Sequence, residues 1–131
     1  LDLASEIASL CDITILSGDD SLALPLISIG GKGVVSVLSN WKPNRVQKIV
    51  KNALKGDFAA AAENQKKNIK LLKAMSIETI PVPVKYVMHL DGLCQPSVRL
   101  PLVELEPSSI EALKNVCNEY GLIAEEPATK K

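Results

Sequence analysis

The chain has 131 residues, enough for one domain with a real hydrophobic core and too few for two ordinary ones. Apolar residues make up 47% and charged residues 23%, and Lys plus Arg equals Asp plus Glu, so the formal net charge is zero. With one Trp, one Phe and two Tyr, that balance argues against a nucleic-acid binder, which needs a basic stripe or stacking platforms.

No apolar run approaches the roughly 20 residues that span a bilayer, and the most apolar stretch, Val34 to Leu38, is far shorter. No membrane partner is therefore expected. The opening LDLASEIASL has no positive n-region, so no secretory signal is expected. A first residue of Leu rather than Met leads us to expect a piece cut from something longer. Cys11, Cys94 and Cys117 are odd in number and widely spaced, which fits a reducing, cytoplasmic setting better than a disulfide framework.

In chain order, Leu3, Ile7 and Leu10 recur at helical spacing and predict the end of an amphipathic helix. Ile13 to Leu16 is a β-branched and apolar run stopped by Ser17-Gly18, the pattern of a strand buried on both faces. Asp19, Asp20 and Ser21 follow as N-cap candidates for a helix carrying Leu22 to Ile29, which Gly30, Gly31 and Gly33 end. Gly33 to Leu38 predicts a second buried strand, and Pro43 stands where a first helical turn accepts proline. Val46, Ile49, Val50, Ala53 and Leu54 mark that helix's apolar face.

Gly56-Asp57 is expected to close this helix and cap the next, whose inward face reads Phe58, Ala61, Ala62, Ile69, Leu72 and Met75. The proline-framed link Ile80 to Pro83 leads to a short helix with Val84, Val87 and Met88, ended by Gly92. Val98 to Leu102 reads as extended. Pro107 opens a final helix with Ile110, Leu113, Cys117 and Tyr120 inward and Gly121 at its end. Residues 125–131 are charged, contain Pro127 and predict a loose tail. Two buried parallel strands cannot make a stable sheet alone, because each leaves an apolar edge with unpaired backbone groups. Further strands must come from elsewhere in the polypeptide or from another chain.

Ser17-Gly18-Asp19-Asp20 falls at the C-terminal end of a parallel strand, where barrel enzymes place their sites. It reads as a pocket loop or as a plain strand-to-helix turn, and capping alone accounts for both aspartates. Gly30-Gly31-Lys32-Gly33 ends a helix and precedes a strand, the reverse of a phosphate loop, so turn chemistry explains it. His89 and Cys94 lack any zinc-ligand spacing, and no metal site is expected. Lys85 is the one lysine among apolar neighbours that desolvation could make nucleophilic, but such a lysine more often reaches outward or finds a partner. No motif in the chain is a complete catalytic site.

Three blocks carry a resemblance: Ser17 to Pro25, Gly30 to Val37, and Ser39-Asn40. With Leu54-Lys55-Gly56-Asp57-Phe58-Ala59, Pro81-Val82-Pro83-Val84-Lys85 and Arg99-Leu100-Pro101-Leu102 in the same order and spacing, the chain resembles the dihydrodipicolinate synthase and N-acetylneuraminate lyase family over almost its whole length. The resemblance implies an α/β fold, the C-terminal part of a (β/α)8 TIM barrel, with strands seven and eight near Ile15 and Val35. It implies barrel elements over residues 1–55, a C-terminal helical extension over residues 56–124 and the tail over residues 125–131.

The resemblance further implies a class I aldolase in which a lysine at the end of strand six forms a Schiff base with pyruvate and a tyrosine relays protons. The enamine then attacks aspartate semialdehyde, on the way to 4-hydroxy-tetrahydrodipicolinate and lysine. By alignment both catalytic residues precede Leu1, as do the arginine for the aldehyde substrate and the lysine-feedback site, so this chain is expected to be inactive alone. No cofactor and no metal are implied. Three residues carry over as substrate-binding: Val35, whose counterpart's main chain lies near pyruvate, and Gly18 with Asp19 on the strand-seven rim. Ile80 departs from the family, which usually has Asn there, and weakens the assignment of the aldehyde substrate. N-acetylneuraminate lyase and the keto-deoxy sugar-acid aldolases are the alternatives within the family. A reading of another class is a non-catalytic half-barrel assembly module, soluble and dimeric on its own. The family usually forms homotetramers, with part of a subunit contact on the helix after Asp20.

Overall fold

The computed structural model describes residues 1–123. The loose tail expected at residues 125–131 lies outside them. The chain packs as two compact units, residues 1–72 and residues 73 onward.

The first unit begins with helix α1 (Asp2–Leu10), on which no residue is buried. Strand β1 (Leu16–Ser17) follows, then α2 (Ala23–Ser28), strand β2 (Gly33–Val34), a 3-10 turn at Leu38–Asn40 and α3 (Pro43–Leu54). Helix α4 (Phe58–Ala74) runs to just past the limit of the unit. The two strands are parallel, with Leu16 opposite Gly33 and Ser17 opposite Val34. Flanking the register, the Lys32 N–H donates to the Ile15 carbonyl and the Val35 N–H to the Ser17 carbonyl, each at 2.8 Å.

The ladder is much shorter than the apolar runs predicted, and Ile13, Leu16 and Val35 are exposed rather than buried. The residue pattern is that of a sheet interior, but pairing and burial need neighbours, and among the described residues β1 and β2 pair only with each other. Leu38 leaves the predicted strand altogether and opens the 3-10 turn, fully buried.

Helix ends follow the sequence more closely. Pro43 stands at the first turn of α3, where its missing N–H costs nothing. After α3, Gly56 takes a φ of +83°, donates to the Ala53 carbonyl, and hands on to Asp57, whose N–H reaches the Asn52 carbonyl. These are the paired bonds of a glycine-terminated helix, and only glycine takes that φ without strain. The same pairing closes α2, α5 and α6. Asp57 caps the next helix as expected, accepting the Ala60 N–H on Oδ1 at 3.0 Å. Gly31 is needed for another reason: a Cβ there would lie 2.8 Å from the Leu26 carbonyl oxygen.

The core of the first unit joins Ile27 of α2, Ala53 of α3 and Ala61 of α4, with Leu24 and Val50 packed against them. Phe58, expected inward, is exposed, and the small Ala61 is the residue of that helix turn that lies buried. Asn68 is buried on α4; it accepts a bond from Arg45 Nη1 at 2.8 Å and donates to the Asn64 carbonyl at 2.7 Å. A buried amide is tolerated because both its ends are engaged.

The second unit holds α5 (Val82–Leu90) and α6 (Pro107–Glu119). Its buried side chains include Met75, Val84, Val87, Leu105, Leu113 and Cys117. Leu113 and Cys117 lie inward as predicted, four residues apart on one face of α6. Val98 to Leu102 forms no strand; a turn interrupts it at Leu100-Pro101. Among the described residues no helix is long and apolar enough to cross a membrane.

Candidate functional site

The parallel pairing of β1 and β2 sets their C-terminal ends side by side, and the two loops that leave those ends form the candidate site. In open and closed parallel sheets alike, this is the edge where ligands meet the fold.

The first loop runs from Ser17 to Ser21. Ser17 is buried, and its hydroxyl donates to the Asp19 carbonyl at 2.7 Å while accepting the Asp19 N–H at 3.2 Å. This folds the loop back on the strand end and leaves Gly18 at the exposed bend, with nothing within 4 Å of where a Cβ would stand. Asp19 Oδ1 accepts both the N–H and the hydroxyl of Ser21, each at 2.7 Å. The Ser21 hydroxyl holds the Asp19 carboxyl below the usual aspartate range; burial opposes it, and the Ser21 and Leu22 backbone bonds add smaller contributions in the same direction as the hydroxyl.

A depressed folded-state value means the charged form is favoured by folding. That contribution is present above the unfolded value and is lost as pH falls through the folded one, below about pH 4. Replacing Ser21 with alanine is expected to move the Asp19 titration upward, which carboxyl-carbon NMR would read directly. An unchanged titration would show that the hydroxyl contact is not the cause.

The second loop runs from Val35 to Asn40. Val35 directly follows β2, and its side chain is 68% exposed. The Ser36 hydroxyl accepts the Ser39 N–H at 2.9 Å, and Asn40 Nδ2 donates to the Val37 carbonyl at 3.0 Å and the Ser36 carbonyl at 3.3 Å.

Asp20 joins the two loops. Its Oδ2 accepts the N–H of Val37 at 3.0 Å and of Leu38 at 2.9 Å, across 17 and 18 residues of sequence. The side chain is buried, and Oδ1 is buried without a partner among the described residues. From α4, Gln65 Nε2 donates to the Ser21 carbonyl at 3.0 Å and steadies the same loop from behind.

These contacts correct the reading of both aspartates as caps of α2. That helix begins at Ala23 with Leu22 at its cap position and no side-chain cap bond. Asp19 closes its own turn, and Asp20 is spent on the start of the 3-10 turn instead. Neither Asp20 nor Gln65 was singled out from sequence as a tie between loops.

Of the carried-over residues, the structure brings Gly18 and Val35 to adjacent strand ends, linked through the bond between the Val35 N–H and the Ser17 carbonyl. Asp19 lies beside them, its carboxylate engaged by Ser21. In the second unit Lys85 donates through Nζ to the Ser97 carbonyl, a lysine that has found a partner. His89 Nδ1 lies 3.1 Å from the Cys94 carbonyl, and His89 and Tyr86 border a mainly apolar cavity of about 160 Å³ with Val82, Leu105 and Ile110. Ile80 is exposed at the link before α5.

Comparisons with known proteins bear on the fold and the family. The chain is 44% identical over 124 residues to the 4-hydroxy-tetrahydrodipicolinate synthase of Hydrogenobaculum sp. (strain Y04AAS1), a match covering 94% of this chain and 43% of that protein. It superposes on the crystal structure of dihydrodipicolinate synthase from Aquifex aeolicus with a TM-score of 0.91 at 39% identity, covering 95% of this chain and 43% of that one. For the dihydrodipicolinate synthase of Thermotoga maritima the TM-score is 0.87 at 34% identity, with 93% and 43% covered. The chain thus spans less than half the length of the relatives it matches, and it shares their fold over that stretch. The model of the dihydrodipicolinate synthetase family matches residues 3–120, and the chain belongs to that family.

Proposed function

We propose that this chain is the C-terminal part of a (β/α)8-barrel lyase that condenses pyruvate with aspartate semialdehyde to 4-hydroxy-tetrahydrodipicolinate, in lysine biosynthesis. In this reading β1 and β2 are strands seven and eight, residues 1–55 complete the barrel and residues 56–124 form its helical extension. The observation that carries it is the meeting of the Gly18 and Val35 loops at the C-terminal end of a parallel pair, in a chain about 44% identical to a synthase of that name.

The chemistry needs an amine that condenses with the pyruvate ketone, releasing water and forming an iminium. The iminium acidifies the neighbouring methyl group; loss of that proton gives the enamine whose carbon attacks the aldehyde. The lysine and the proton-relaying tyrosine belong to the part of the polypeptide that precedes this chain. Here Val35, Gly18 and Asp19 wall the pyruvate pocket, Val35 through its main chain. No cofactor takes part, and the working protein is a cytoplasmic homotetramer. Exposed Leu16 and Ile13, on and just before β1, are then the contact to strand six, and exposed Val35 faces the barrel mouth.

Incubating the full-length polypeptide with pyruvate and borohydride is expected to trap one reduced adduct per chain, on a lysine outside residues 1–131. Peptide mapping by mass spectrometry checks this. A label on Lys85 or any other lysine of this chain, or no adduct at all, would overturn the reading.

A further inference from the structure

We infer that Asp20 is a positioning residue for pyruvate, acting through the main chain of Val35; this rests on the lyase reading above. The segment from Val35 to Leu38 is pinned at both ends. At one end the Val35 N–H is held by the Ser17 carbonyl at 2.8 Å. At the other the Val37 and Leu38 N–H groups share Asp20 Oδ2, at 3.0 and 2.9 Å. Within the loop, Asn40 Nδ2 takes up the Ser36 and Val37 carbonyls. The Val35 carbonyl accepts none of these loop bonds, so it is the main-chain acceptor left to face a ligand, with its direction set by its neighbours.

Three features mark Asp20 as more than a loop closure. The residue is buried, with 7% exposure, and a buried carboxyl group is tolerated only where its hydrogen bonds are made. Its bonds end on the strand-two loop and its backbone belongs to the strand-one loop, so it sets the separation of the two walls that carry Val35 and Gly18. Oδ1 has no partner among the described residues, so the carboxylate's hold on this part of the fold rests on those two N–H groups alone. Removing it frees two adjacent amides two and three residues beyond Val35. A displacement of about 1 Å at such a distance is enough to change rates by orders of magnitude when the displaced group orients a reactant.

The test is steady-state kinetics on full-length Asp20→Ala, Asp20→Asn and Asp20→Glu, with borohydride trapping to count competent sites. Asp20→Ala is expected to raise the pyruvate KM about tenfold or more, with the KM for the aldehyde and the trapped fraction at saturating pyruvate close to the parent's. Asp20→Asn keeps an acceptor oxygen at the same distance and is expected to recover most of the pyruvate KM. Asp20→Glu keeps the charge but shifts it by one methylene, and is expected to fall between the two.

A role in folding alone predicts a different split, with fewer trapped sites and a lower kcat at unchanged pyruvate KM, and that result overturns the proposal. If Asp20→Ala does not fold, the comparison of the Asn and Glu variants decides: equal pyruvate KM values in both, within twofold of the parent, overturn it. Failure of the lyase reading is separate, because the unsubstituted enzyme would then trap no pyruvate.

Discussion

Replacing Leu38 with alanine is expected to destabilise the protein by about 3 kcal/mol, within the 2–5 kcal/mol span of buried leucine truncations. Leu38 has no exposed surface and follows β2 at the first position of the 3-10 turn. Its side chain is anchored in the core while its N–H is held by Asp20. Truncation therefore leaves a cavity directly beneath the loop that carries Val35. The urea midpoint of the full-length polypeptide should fall with little change in slope, since the folded state keeps its compactness. A Leu38→Ala cost below about 1 kcal/mol would mean that the turn is not seated as described.

Residues 1–131 made alone are expected to expose apolar surface and to associate into species of mixed size, where the full-length polypeptide forms one defined oligomer. Leu3, Leu10, Ile13, Leu16 and Val35 are all exposed, and the β1–β2 pair offers open edges with unsatisfied backbone groups. Apolar residues next to an unpaired strand edge are a template for association. Sedimentation velocity should show species above the monomer mass, and the fluorescence of a hydrophobic-surface dye should rise well above that of the full-length polypeptide. The same surface is what earlier barrel elements would bury. A single, cooperatively melting dimer without dye binding would instead favour the non-catalytic half-barrel module. A monomer without dye binding would contradict both.

Much of this protein was legible without coordinates. The glycines at positions 56, 92 and 121 closed helices where predicted, because a positive φ after the last turn is a local requirement that glycine meets at no steric cost. Pro43 and Pro107 opened helices for an equally local reason. The faces of α3 and α6 were readable because helical periodicity maps sequence spacing onto one side, except that Leu54, at the last residue of α3, is exposed. Family membership was legible from the order of short blocks, each weak by itself.

Strand length and aspartate partners were not legible. The runs Ile13 to Leu16 and Gly33 to Leu38 carry the composition of a buried sheet, but pairing depends on neighbours, and here it covers two residues on each strand. Asp19 and Asp20 are adjacent and chemically alike, yet one turns back on Ser21 and the other crosses to Val37 and Leu38. Local spacing favours a nearby N–H for both. Only the parallel pairing of β1 with β2 brings two unsatisfied amides of a distant turn within reach of the second carboxylate. The sequence by itself determined the longer helices, their glycine and proline ends and the family; the tertiary structure decided which carboxylate ties the two loops together, because that bond exists only once the strands lie side by side.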